Sequence, residues 1–184
     1  GSLPLLGAGH RVGRGDPIIL ESCEYCNSFL NFFPTAAVIL DVDADHLDFF
    51  KDLADVEHSF RAFAALVPAG GLIVANGDDA NTADALRGMD YVRFGFAETN
   101  DVCGRNFSAD FREFDVYCGG ALYCHPHLGV LGRHNAMNAL AESLGQRDPH
   151  STLKAIIEQL SAYQTLTRRL GAYLSLRQSA NTAD

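Results

Sequence analysis

Four carboxylates and an imidazole crowd one short stretch: Asp41, Asp43, Asp45, His46 and Asp48. Acids so close repel one another unless a cation or water screens them. Carboxylate oxygens with a neutral imidazole make a hard-to-borderline donor set, suited to Mg2+ or Mn2+. The competing reading is a helix N-terminus, where acids favour the dipole, and Asp48 or Asp52 needs no more than that. Glu21 closes an earlier apolar run. If its strand neighbours the one before the acidic stretch, Glu21 and His46 bind one cation from adjacent strand ends. A solvated glutamate is the alternative.

Three other groups of residues carry potential chemistry. Cys23-Glu24-Tyr25-Cys26 is a C-x-x-C placed between an apolar run and a helical pattern, as a redox motif would be. A zinc reading needs two further ligands, for which Cys118, Cys124, His125 and His127 are candidates. Buried structural cysteines are the plainer account. Arg133-His134-Asn135 opens a helix, where Asn serves as an N-cap or pairs with an adenine edge through one donor and one acceptor. Arg168 and Arg169 suit a phosphate, or form a solvated cationic pair. No G-x-x-x-x-G-K-[ST], G-x-G-x-x-G or G-x-S-x-G occurs, and Gly7-Ala8-Gly9 lacks both a third glycine and a preceding strand.

The surrounding pattern predicts what must hold these groups. Short apolar runs at Pro17–Leu20, Ala36–Leu40, Leu72–Ala75 and Tyr91–Phe94 read as strands, the second of them buried. Between them, Glu24–Phe33 reads as a helix with Phe29, Leu30 and Phe33 on one face, stopped by Pro34. From Asp52, Leu53, Val56, Phe60, Phe63, Ala64 and Val67 recur at steps of three and four, ended by Pro68 and Gly70-Gly71. Ala80–Arg87 is a short helix. This alternation predicts βαβ units in a mostly parallel sheet flanked by helices, an α/β fold. In such sheets ligands bind at the carboxyl ends of the strands, where the acidic stretch would lie.

Past Gly95 the runs shorten. Phe107–Ala109, Phe111–Val116 and Ala121–Cys124 predict a small antiparallel β subdomain over about 96–131, with a turn at Gly119-Gly120. A helix follows from Ala136 to about Leu144, and another from Ser151, its N-cap, to Tyr163. Residues 175–184 read as a frayed polar tail.

The 184 residues suffice for one domain with a sizeable core. A net charge of −9 argues against nucleic acid and anionic membrane as partners. No apolar run reaches the length of about 18 residues that a membrane helix needs. Five cysteines, an odd number, fit a reducing cytoplasm better than a secreted disulfide framework. The start, Gly1-Ser2-Leu3-Pro4, lacks signal-peptide features and an initiator Met, which fits a piece of something longer.

Taken together, the stretches from about Gly13 to Gly171 resemble the Mur ligase family. The resemblance rests on Glu21 to Leu30, Ala44-Asp45-His46-Leu47-Asp48, Asn76-Gly77-Asp78-Asp79, Gly132 to Ala139 and Thr167-Arg168-Arg169, in that order and spacing. It implies a cytoplasmic, ATP-dependent ligase of peptidoglycan precursor synthesis, which joins L-alanine to UDP-N-acetylmuramate through an acyl phosphate. It implies that Glu21 and His46 hold Mg2+, two ions in the intact enzyme, that Asn135 with His134 contacts adenine, and that Arg169 with Arg168 contacts phosphate. On this basis residues 1–174 are expected to be part of a central ATP-binding domain. The phosphate loop and the amino-acid-binding domain are expected outside the chain, which alone would not turn over. Asp41 stands where the family usually has Asn, and Leu170 where it has Phe. Other readings are a tripeptide-recycling or amidating relative, a non-catalytic nucleotide- or partner-binding domain, and a thiol or zinc module on Cys23 and Cys26.

Overall fold

The computed structural model describes residues 10, 12 and 18–143. Arg168, Arg169, the helix expected from Ser151 and the polar tail lie outside the described residues. Six strands form one sheet in the order β1-β2-β3-β4-β5-β6, which is also their order along the chain. β1 (Ala36–Ile39), β2 (Leu72–Asn76), β3 (Val92–Gly95) and β4 (Val102–Arg105) run parallel; β5 (Asp115–Cys118) and β6 (Ala121–Cys124) continue the sheet antiparallel. The antiparallel strands expected over 96–131 thus join the parallel ones in a single sheet.

Helices cover both faces. α1 (Leu53–Ala64) and α2 (Ala80–Ala85) pack on one side, α3 (Arg133–Ser143) on the other. The pleat of β2 sorts the core between them: Ile73 and Ala75 join Val56, Ala64 and Leu86, while Val74 joins Phe94, Val116 and Leu140. β2 is therefore buried on both faces, as its unbroken apolar run requires, whereas β3 exposes Arg93. α1 begins where Asp52 caps it, the side chain accepting from the Asp55 N–H at 3.0 Å.

Several expectations are corrected. Ile18, Ile19 and Leu20 form no strand, and Ile18 is 80% exposed. The stretch after Glu24 is a 3-10 segment, Tyr25–Asn31, because Cys26 and Asn27 take positive φ (54° and 56°) and break the α-helical register. Phe29 is buried but Phe33 is exposed, so they do not share a buried face. β1 is not wholly buried: it pairs only with β2 among the described strands, and Val38 is 43% exposed. β4 was not anticipated, and Phe107–Ala109 is not a strand. α3 starts at Arg133, three residues before the expected Ala136, so Asn135 lies inside its first turn and is not the N-cap.

Candidate functional site

Three parallel strands deliver their carboxyl ends to one edge, and hydrogen bonds stitch the loops there together. The Asn76 amide donates to the Leu40 carbonyl at 2.9 Å, and the Asn81 amide to the Val42 carbonyl at 2.8 Å. Asp79 caps α2 through the Thr82 N–H at 2.9 Å and also accepts from the Val42 N–H at 3.1 Å. One carboxylate thus fixes both a helix start and the entry to the acidic loop. Asp78 reaches the other way, accepting from the Ala97 N–H at 3.1 Å and the Asn100 amide at 2.7 Å. Asn76-Gly77-Asp78-Asp79 therefore ties the loop after β1 to the loop after β3. Gly77 is required there, since a Cβ would sit 2.0 Å from Asn100 Oδ1.

Within the acidic loop, His46 turns the chain. Its backbone has φ 56°, a left-handed corner costly for a residue with a Cβ, and its carbonyl accepts from the Phe49 and Phe50 N–H groups at 2.8 and 2.9 Å. Its ring lies 4.8 Å from that of Tyr25, whose hydroxyl donates to Asp48 at 3.0 Å. That bond to the Asp48 carboxylate raises the Tyr25 pKa and keeps the phenol protonated. His46 Nε2 stands 3.3 Å from Glu24 Oε1. Cys23, Glu24 and His46 bring one donor atom each to within 4.8 Å of one another. Glu21 is exposed and outside that group. The glutamate beside His46 is thus Glu24, three residues further on.

Asp41 lies two residues past the end of β1. Partial burial, then the charges of Asp79, Asp43, Asp45 and Glu24, raise its pKa above the ordinary 3.8. A loop in which carboxylates resist ionising together is a loop that a cation would relieve. The Ser22 hydroxyl oxygen, on the segment that carries Cys23 and Glu24, is buried without a hydrogen-bond partner. Carboxylate oxygens suit Mg2+, so the acidic loop offers donors that fit such an ion.

The start of α3 adjoins the same edge. The Arg133 guanidinium lies 4.4 Å over the ring of Phe96, the residue that follows β3. The Asn135 amide donates to the Leu131 carbonyl at 2.7 Å, holding the turn into the helix. His134 is exposed. Cys23 and Cys26 are free and exposed, while Cys103 and Cys118 are buried in the sheet. The structure brings His46 together with Glu24 and Cys23. The sequence missed Glu24 because it was read inside a regular helix; its place between the cysteines of the C-x-x-C was the available signal. Among the described residues, no helix is long and apolar enough to cross a membrane.

The model of the Mur ligase middle domain matches residues 18–144. A UDP-N-acetylmuramate–L-alanine ligase of Caldanaerobacter subterraneus is 42% identical over 146 residues, 77% of this chain and 32% of that protein. The like-named ligase of Clostridium acetobutylicum is 36% identical over 174 residues, 92% of this chain and 38% of that protein. The chain thus spans about a third of the length of these relatives. Among solved structures, a UDP-N-acetylmuramate:L-alanyl-γ-D-glutamyl-meso-diaminopimelate ligase of Neisseria superposes with a TM-score of 0.59. It is 30% identical, with 79% of this chain and 42% of that chain covered. A UDP-N-acetylmuramate–alanine ligase of Thermotoga maritima, 23% identical, superposes with a TM-score of 0.53 over 78% of this chain and 30% of that chain, and attests the shared fold.

Proposed function

Because the chain belongs to the Mur ligase family, we propose that it supplies the central ATP-site wall of an enzyme joining L-alanine to UDP-N-acetylmuramate. The substrates are those in the names of the relatives at 42% and 36% identity. The observation that carries the reading is His46, held at a strained corner beside Glu24 on the carboxyl edge of the parallel strands. Residues 1–174 are read as part of the central domain, with the phosphate loop and the amino-acid domain supplied from outside this chain.

The reaction sets the task. A substrate carboxylate oxygen attacks the γ-phosphorus of ATP and ADP leaves; the amine of L-alanine then attacks the acyl carbon and phosphate leaves. Two anions must approach in line, so fixed cations and oriented dipoles are the main catalytic resource. His46 and Glu24, with Glu21 on the same segment, are the residues that would hold Mg2+, two ions in the intact enzyme. Such an ion supplies charge compensation between nucleotide and acyl phosphate. Tyr25 and Asp48 brace the His46 ring; Asp79 and Asn76 fix the loop that presents it. Asn135 and His134, at the start of α3 on the same edge, are proposed to meet the adenine, and Arg168 with Arg169 a phosphate.

The protein expressed from its complete reading frame should release ADP with UDP-N-acetylmuramate, L-alanine and Mg-ATP. No ADP with any muramoyl acceptor would defeat the proposal. A second reading, a ligase that attaches a peptide rather than L-alanine, is favoured by the likeness to the Neisseria enzyme. ADP release with a tripeptide and not with L-alanine would establish it. ATP binding without ADP release would favour a non-catalytic domain.

A further inference from the structure

Mg2+ has no use for sulfur, yet a thiol stands among the donors at His46. We propose that Cys23, Glu24 and His46 form a binding site for a thiophilic divalent cation of the Zn2+ class. Their sulfur, oxygen and nitrogen atoms all lie within 4.8 Å of one another, and the nitrogen and oxygen are 3.3 Å apart. Ligands of a tetrahedral zinc, with bonds of about 2.0–2.3 Å, are separated by roughly 3.5 Å. Closure around an ion therefore asks the separations to change by at most about 1.3 Å, within reach of two exposed side chains and one half-buried one.

The chain prepares the sulfur for this role. The Tyr25 N–H points at Cys23 Sγ from 3.4 Å, fixing the thiol on the side of Glu24. His46 arrives from a loop 22 positions away in sequence, at its left-handed corner, with its ring steadied by Tyr25. Cys26 is not in the group, so this is not a C-x-x-C centre. One sulfur, one oxygen and one nitrogen leave a fourth position to water, the pattern of an open zinc site. Thiolate and imidazole favour Zn2+ or Co2+ over Mg2+.

The site shares His46 and Glu24 with the proposed Mg2+ site, so the two ions exclude each other, and Zn2+ would act as an inhibitor where Mg2+ supports turnover. The binding claim rests on local geometry and stands or falls independently of the ligase reading.

The test loads the metal-free protein with Co2+ and records the sulfur-to-cobalt charge-transfer absorption, then measures Zn2+ affinity against a chromophoric chelator. The band should appear at one equivalent, persist in Cys26→Ser and vanish in Cys23→Ser. Zn2+ affinity should fall by at least roughly 100-fold in Cys23→Ser, since loss of an outer-shell partner alone costs 10- to 100-fold. In the unaltered protein, Zn2+ should slow alkylation of Cys23 but not of Cys26, whatever the fate of the variants. No charge-transfer band, a band that depends on Cys26, or alkylation indifferent to Zn2+ would overturn the proposal.

Discussion

Replacing His46 by glycine should leave the fold more stable than replacing it by alanine. At an ordinary position the order is the reverse, because glycine gives up about 0.5–1 kcal/mol of chain entropy relative to alanine. Here φ is 56°, a corner that costs a residue with a Cβ about 1–2 kcal/mol and costs glycine almost nothing. Both variants lose the same ring contacts. The pair with Glu24 joins side chains 40% and 23% exposed and is worth no more than about 1 kcal/mol. The tilted contact with Tyr25, at 4.8 Å, adds roughly 0.5–1 kcal/mol. Neither substitution touches the backbone bonds from Phe49 and Phe50 to the His46 carbonyl. The alanine variant should therefore lose about 1–2 kcal/mol and the glycine variant about half as much or less. Urea denaturation of both, run side by side, reads the difference directly. A glycine variant less stable than alanine by about 0.5–1 kcal/mol would refute the strained corner.

Asp41→Asn should stabilise the protein at neutral pH and do nothing in acid. With its folded pKa above 3.8, the native state binds the proton more tightly than the unfolded chain, so Asp41 subtracts stability as pH rises through that range. Unfolding midpoints of both proteins at pH 3 and pH 7 check this. Asp79→Ala removes the α2 cap and the tie to Val42, and should cost about 1–2 kcal/mol in urea denaturation. Gly77→Ala drives a Cβ into Asn100 Oδ1 and should cost about 1–3 kcal/mol by the same assay, with Asn100→Ala partly restoring the loss.

Much of the scaffold was legible because its signals are periodic. The three-and-four spacing from Leu53 to Val67 located α1, and Asp52 its cap. The apolar runs located β1, β2 and β3. β4 was not legible, since Val-Cys-Gly-Arg has neither alternation nor a β-branched run; its burial is conferred by its neighbours β3 and β5. The irregular segment at Tyr25–Asn31 was misread because only Asn27 is a residue type that favours positive φ, and Cys26 before it does not announce two in succession. The same turn hid a piece of the site. His46 was identifiable by residue type, but its partner Glu24 lies just before that turn, in a stretch that reads as regular helix, and the expected strand end pointed to Glu21 instead.

The central claim is that His46 organises the cation-binding wall of a ligase. Its most direct measurement is the rate of ADP formation by the complete reading-frame protein, wild type against His46→Ala, at saturating Mg-ATP and muramoyl acceptor. His46→Ala should lose roughly 100- to 1000-fold in rate, as for removal of one transition-state charge stabiliser, with the unfolding midpoint only modestly lowered. A His46→Ala protein that turns over at the wild-type rate would contradict the claim.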